Sequence, residues 1–484
     1  MRAWMEFGDV TLAEQIAEFV CGTADVPEAA TNMTAKAIFD VVTASVAGYE
    51  TASAGAARNA AETVWGLGSA AIWFSGKTST ISGASFSNAA CASSQDLDDG
   101  HRAAAGHPGA AIIPAVLATL DRYPEHASRA LAAIALGYEV AVRISAARGV
   151  TTVATTDSGL WCGQGVAAAV GWLRQFSSRQ IAEAIAIAGT TAPSQAATPY
   201  TRIMGNNVKE GIPWATANGL LALELAHEGF SGPIDLLDKA ERFDRNTLVS
   251  GLGASWQIEG TYFKPYGCCR WIHAAIDALL QIQADHKIAA DDIHSLEVET
   301  FARALSLNNE TRPATLEGAQ YSVPFSVAVA AVHGPSALLP LKEEYLNDRQ
   351  VITLAERVHV SVDRELDAMF SAAVPARVRV TTAAATLTQE VLLPKGEPSN
   401  PMGWEDIDAK LAAVAAGRLD ADTLGRLRKA VAALKGGEIE PLQSVLARQS
   451  LPERNYSAPT KHVTSDDDHA LSEACWRSVI PSVI

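Results

Sequence analysis

Three carboxylates and two imidazoles fall within twelve residues of this chain: Asp96, Asp98, Asp99, His101 and His107, in the stretch DLDDGHRAAAGHPG. Carboxylates that close raise the pKa of at least one of their number, and a histidine beside them titrates near neutral pH. The segment therefore has the parts for proton transfer, with Arg102 as an adjacent cation. A metal site is the competing chemistry. Asp99, His101 and His107 are admissible ligand types, but no HExxH or CxxC pattern accompanies them, so no metal is expected. The plainest alternative is a solvated acidic loop.

Two further stretches put cations inside apolar sequence. Asn206-Asn207-Val208-Lys209 opens a long apolar helix, and Lys264-Pro265-Tyr266-Gly267-Cys268-Cys269-Arg270 precedes Trp271-Ile272-His273 and another. A lysine at a helix N-terminus sits at the end of the dipole that favours anions, and a bound carboxylate would resolve the conflict. The alternative is a lysine whose head reaches solvent. Cys268 and Cys269 are read as buried structural thiols, since adjacent cysteines form poor mutual disulfides and no thiol-hydrolase histidine pattern accompanies them. There is no GxGxxG at a helix start, no phosphate-binding loop and no GxSxG elbow, which removes the usual marks of nucleotide binding and serine hydrolysis.

The elements that must position these residues are mostly helical. From the N-terminus to about residue 276 the sequence is Ala-rich, with apolar residues at three- and four-residue spacing, as in Ile38, Val41, Val42 and Val46, or Leu131, Ile134 and Tyr138. Ser177 with Gln180 reads as a capping box, Gly189 as the end of the helix it starts, and Gly229 as the residue after the end of another. Beyond about residue 290 the period changes. Leu296/Val298/Thr300, Val358/Val360/Val362, Val378/Val380 and Leu387/Gln389/Val391 alternate with period two and predict strands. Ser322 to His333 reads as a helix, with Pro324 in its first turn and Gly334-Pro335 as its stop. The expected fold class is mainly α: a large all-helical domain (1–276) with a smaller inserted α+β lid domain (277–400), a return to the helical domain (401–453) and a polar tail (454–484).

Composition bounds the partners. The 484 residues carry a formal net charge of −16, and 48% are apolar. That charge excludes a nucleic-acid or anionic-membrane surface as the main partner, because polyanions are met by clustered Lys and Arg. Residues 1–9 lack the pattern of a secretory signal. No apolar run approaches the roughly 18 residues of a membrane span. Six cysteines without CxxC pairing fit reduced thiols and a cytoplasmic location.

The succession QDLDDGHRAAAGHPGAAIIPAVLA, GYEVAVRI, the helix start at Cys162-Gly163, VKEGIPWATANGLLALELAHEGFSGP, FKPYGCCRWIHAAIDAL and AQYSVPFSVAVA resembles the MmgE/PrpD family, in order from about residue 10 to 450. That family includes 2-methylcitrate dehydratase, cis-aconitate decarboxylase and iminodisuccinate epimerase. The resemblance implies a helical domain with an α/β lid, a homodimer, and cofactor-independent chemistry on a small di- or tricarboxylate, with proton abstraction next to a carboxylate. By the same resemblance Asp96 and His107 match active-site acidic and imidazole positions, and Lys209 and Lys264 match lysines that hold substrate carboxylates. His101 falls in a DDxH motif and His273 in a CC-x-x-x-H motif. Arg102 and Arg270 are candidates for specificity, as forks that suit a carboxylate.

The chain departs from the family at three places. Gly100 stands where several members have Thr, Leu160-Trp161 where many have a His, and Phe325 where decarboxylases and dehydratases often have Tyr. Trp161 and Phe325 are therefore expected in the substrate pocket in place of proton donors. The expected activity is a dehydratase-type lyase, with an epimerase, a decarboxylase and an inactive dimeric scaffold as alternatives.

Overall fold

A computed structural model describes residues 10–149, 151, 153, 155–193 and 205–452; the tail beyond Arg454 lies outside the described residues, as does the N-terminal stretch read for a signal. The fold is mainly α. Helices Leu12–Gly22, Glu28–Gly48, Ala52–Trp65, Ile81–Ser93, Gly109–Leu120, Ala130–Ala146, Cys162–Leu173, Ser178–Thr190 and Ile212–His227 pack on one another, and Trp404–Ala415 and Ala421–Ala433 rejoin them late in the chain.

Small residues explain how closely these helices approach. A Cβ on Gly219 would lie 2.3 Å from the Gly163 carbonyl oxygen, and one on Gly165 would lie 2.6 Å from that of Gly137. The helices can touch backbone to backbone only because those side chains are missing. The Ser177 box is present, its hydroxyl accepting from the Gln180 amide while the Gln180 side chain reaches back. Gly189 does not end that helix, which runs to Thr190. A Cβ there would meet Gln164 Nε2 at 2.5 Å, so this glycine serves close packing instead. Gly229, with φ of +89°, follows the Ile212–His227 helix as its sequence position predicts.

All four period-two runs are strands: Ser295–Thr300, Val358–Val362, Ala376–Thr381 and Thr386–Val391. They form one sheet in the spatial order 358–362, 295–300, 376–381, 386–391, with the first pair parallel and the other two antiparallel. The Val323–His333 helix, capped by Ser322 and stopped at Gly334, packs beside Val358–Val362 and against the His273–His286 helix, which covers the last two strands. Buried apolar residues fall into two large clusters. One spans Leu12 to Phe263 and resumes from Met402 to Leu451; the other runs from Tyr266 to Val380.

The helical region also holds short pairings that leave no periodic trace in sequence, because two or three residues make no run. Ala70–Ile72 pairs with Lys77–Ser79, and Gly100–His101 pairs antiparallel with Thr261–Tyr262. The second pairing ties the acidic loop to the segment carrying Lys264. Among the described residues no helix is long and apolar enough to cross a membrane.

Candidate active site

Just past the end of the Ile81–Ser93 helix, Asp96 takes a left-handed conformation, φ +51°, which Asp tolerates better than most residues. The chain turns there, and Asp96, Asp98 and Asp99 become buried. The loop returns on itself where the His101 amide donates to the Gly106 carbonyl at 2.9 Å, and His107 enters just ahead of the Gly109–Leu120 helix. Trp161 presses on Gly106, where a Cβ would stand 2.7 Å from its ring. Trp161 thus shapes the backbone before His107 and lines none of the cavities described below.

The three carboxylates have separate fates. Asp98 Oδ2 lies 3.1 Å from His107 Nδ1. Asp96 Oδ2 lies 3.2 Å from Lys264 Nζ, and Asp96 Oδ1 lies 3.7 Å from Lys209 Nζ and 3.6 Å from His107 Nε2. Asp99 accepts from the Tyr138 hydroxyl at 2.7 Å, away from the imidazole. Burial penalises the ionised form of all three. At Asp96 the ammonium groups of Lys264 and Lys209 outweigh it and hold the carboxyl well below the usual range. Asp98 is held down by His107. Asp99 has no cation of its own, and burial, with the Asp40 charge next, pushes it up to about 8.

His107 faces burial and Lys264, which oppose its positive form, yet Asp98 and Glu210 outweigh them and its pKa is raised. Its Nε2 is 3.6 Å from Glu210 Oε1. Glu210 is fastened by Ser158, whose hydroxyl donates to Glu210 Oε2 at 2.6 Å and accepts from the His107 amide at 2.9 Å. The Tyr321 hydroxyl reaches Glu210 Oε1 at 3.5 Å, and burial, then Asp96 and Glu210, keep this phenol protonated. Lys209, also left-handed at φ +48°, donates to the Ser93 carbonyl at 2.7 Å and to Gln320 Oε1 at 3.0 Å. Lys264 is fully buried and also donates to the Asp96 carbonyl at 3.0 Å.

Asp96, His107, Lys209, Glu210 and Tyr321 line one cavity of about 420 Å³ between the Ala52–Trp65, Ile81–Ser93 and Ile212–His227 helices. His107, Glu210 and Tyr321 also border a narrow cleft of about 40 Å³ on their other side, reached by Arg102 and Arg270. Both arginines pair with Glu397. Arg270 does so through Nε and a terminal nitrogen at 2.9 and 2.8 Å, and its remaining donors meet His273 and the Pro394 and Lys395 carbonyls.

Four of the sequence-nominated residues thus converge: Asp96, His107 and Lys209 on the cavity, with Lys264 behind Asp96. His101 is buried and kept neutral, its pKa pushed down by burial to about 4, and it borders neither space. His273 is buried between Arg270 and the Cys268 carbonyl, and Phe325 sits in the second apolar cluster. Cys268 is buried, and burial raises its thiol and that of Cys269. Glu210 and Tyr321 are the additions. The signals for them were their places in VKEGIP, next to Lys209, and in AQYSVPF, four residues before Phe325.

One oxygen each from Asp96 and Asp98 and one nitrogen of His107 lie within 4.8 Å of one another, a geometry a divalent ion could accept. Two ammonium groups already lie within 4 Å of Asp96 and supply positive charge where an ion would.

Comparison with known proteins shows the family. Residues 14–251 match the model of the MmgE/PrpD N-terminal domain, and residues 266–435 that of the MmgE/PrpD C-terminal domain. Two cis-aconitate decarboxylases of Aspergillus terreus are each 25% identical over 401 residues, covering 75% of this chain and 80% of theirs. With both domain models matched in order across most of its length, the chain belongs to the MmgE/PrpD family of enzymes.

Proposed function

We propose that this protein is a cofactor-independent lyase of the dehydratase and decarboxylase type, acting on a small carboxylic acid by proton transfer at the carbon next to the carboxylate. The observation that carries the reading is the Asp98–His107 pair, with His107 Nε2 turned to the cavity between Asp96 and Glu210. An Nδ1–H bonded to Asp98 leaves Nε2 with its lone pair free to accept a proton. The imidazolium that forms faces three carboxylates.

In an elimination, His107 Nε2 takes the proton from carbon while the C–H electron pair moves onto the substrate carboxylate. Lys209 stabilises the charge that builds there. The pair then returns to form the double bond as a β-hydroxyl departs, taking a proton from Tyr321 and leaving as water. Lys264 is a positioning residue that holds Asp96 ionised from behind, and Asp98 is one that sets the tautomer of His107. The cis-aconitate decarboxylase relatives support a carboxylate substrate. An epimerase would share the first step and return the proton to carbon.

Proton NMR in D2O tests this with acids that the protein binds, cis-aconitate and 3-hydroxy acids among them. Deuterium entering beside the carboxylate, or a vinyl signal appearing, with both lost in His107→Ala, is the expected result. No exchange or turnover of any bound acid would overturn the reading.

A further inference from the structure

The charged groups of the cavity are crowded at one end. Asp96, His107, Lys209, Glu210 and Tyr321 gather there, and Lys209 is the one lysine or arginine that lines the cavity among the described residues. Its Nζ lies 3.7 Å from Asp96 Oδ1 and donates to the Ser93 carbonyl and Gln320 Oε1. Lys264 is fully buried behind Asp96, and the arginines of the narrow cleft on the far side of His107 are already held by Glu397. A tricarboxylate placed here would bring three negative charges to one lysine and one imidazole, against Asp96, Asp98 and Glu210. Desolvating unpaired carboxylates costs more than any hydrogen bond returns.

The other end has a different character. Ala56 and Ala60, one turn apart on the Ala52–Trp65 helix, face the cavity with Ala57, as do Phe86 and Ala90, one turn apart on the Ile81–Ser93 helix. Trp214 stands edge-on to Phe86 at 5.2 Å and leaves 43% of its surface exposed. The alanines leave a trough where larger side chains would fill it, and the exposed indole beside it is apolar surface of the sort that ligand grooves present.

We infer that the substrate carries one carboxylate, bound at Lys209, and an apolar arm of alkyl or aryl character that lies in the trough between Ala56, Ala60, Phe86 and Trp214. The inference rests on the functional reading above and narrows its substrate class from the di- or tricarboxylate that family resemblance implies. The arm would contribute through burial of apolar surface, and each methylene seated against the alanines adds about fourfold in affinity.

Titration calorimetry on the full chain with butanoate, hexanoate and octanoate, and with citrate and cis-aconitate alongside, tests this. The dissociation constant is expected to fall about tenfold or more for each two-carbon extension, with octanoate binding more tightly than either tricarboxylate. Ala56→Phe, at an exposed helix position, is expected to remove the gain from chain length. A flat chain-length series, as when a second copy of the chain covers the trough, overturns the inference. So does citrate or cis-aconitate binding more tightly than octanoate, or a gain that persists in Ala56→Phe. Carboxylate affinities that Lys209→Ala leaves unchanged at every chain length also overturn the inference, whereas failure of the underlying reading is separate and is marked by the absence of deuterium exchange or turnover in any bound acid, whatever the chain-length series shows.

Discussion

Asp98 Oδ2 and His107 Nδ1 stand 3.1 Å apart, both buried, and that contact gives the imidazole a direction. With Nδ1 committed to Asp98, Nε2 is left facing the cavity between Asp96 and Glu210. Asp98→Asn preserves shape but presents an amide that can stabilise the wrong tautomer and does not balance the imidazolium. Turnover is expected to fall about 10²- to 10⁴-fold, as in His107→Ala, with the helical circular-dichroism spectrum unchanged. An Asp98→Asn enzyme of full activity would remove the pair from the mechanism.

His107 must be neutral to accept a proton, and its pKa is raised above the usual 6.5. The rate is therefore expected to climb with pH through a midpoint above 6.5. Glu210→Gln removes one of the charges that raises it, so the midpoint should move to lower pH in a kcat/KM profile. A midpoint that stays in place would separate Glu210 from the titration.

Lys264 and Asp96 form a buried pair, so removing one partner strands the other. Lys264→Met should destabilise the protein by about 3–5 kcal/mol in chemical denaturation, and the Lys264→Met/Asp96→Asn double variant should recover much of that loss. Additive losses would show that the two residues do not stabilise one another.

Asp99 titrates with the opposite sign to its neighbours. Its folded-state pKa, about 8, lies above the ordinary value of 3.8, so the folded protein holds a proton that the unfolded chain releases. Its contribution to stability is fully present below about pH 4 and is lost as pH rises through about 8. Asp99→Asn, neutral at every pH, should flatten the decline of thermal stability between pH 4 and 8. An unchanged slope would place the titration elsewhere.

Dialysis against EDTA is expected to leave activity unchanged, because Lys209 and Lys264 supply the positive charge beside Asp96. Activity lost to EDTA and restored by a divalent ion would instead assign Asp96, Asp98 and His107 as its ligands.

What the sequence determined by itself is the part written in short-range pattern. Period-two alternation at Leu296/Val298/Thr300 and its three partners marks strands because a strand puts neighbouring side chains on opposite faces. Ser177 with Gln180 and Ser322 with Gly334 mark helix ends because the caps are local hydrogen bonds and local conformations. Residue type and neighbourhood also marked the acidic loop and the two lysine stretches, and within them the family resemblance nominated Asp96, His107, Lys209 and Lys264. The tertiary structure decided which atoms meet. Only the close helix packing, the left-handed turns at Asp96 and Lys209 and the short pairing of Gly100–His101 with Thr261–Tyr262 bring positions more than a hundred residues apart within 4 Å. That assembly gave His107 to Asp98 rather than Asp99, put Lys264 behind Asp96, joined Arg102 and Arg270 to Glu397, and brought Glu210 and Tyr321 to the cavity. Charge pairing at such range depends on distance and burial, and neither is carried by the order of residues along the chain.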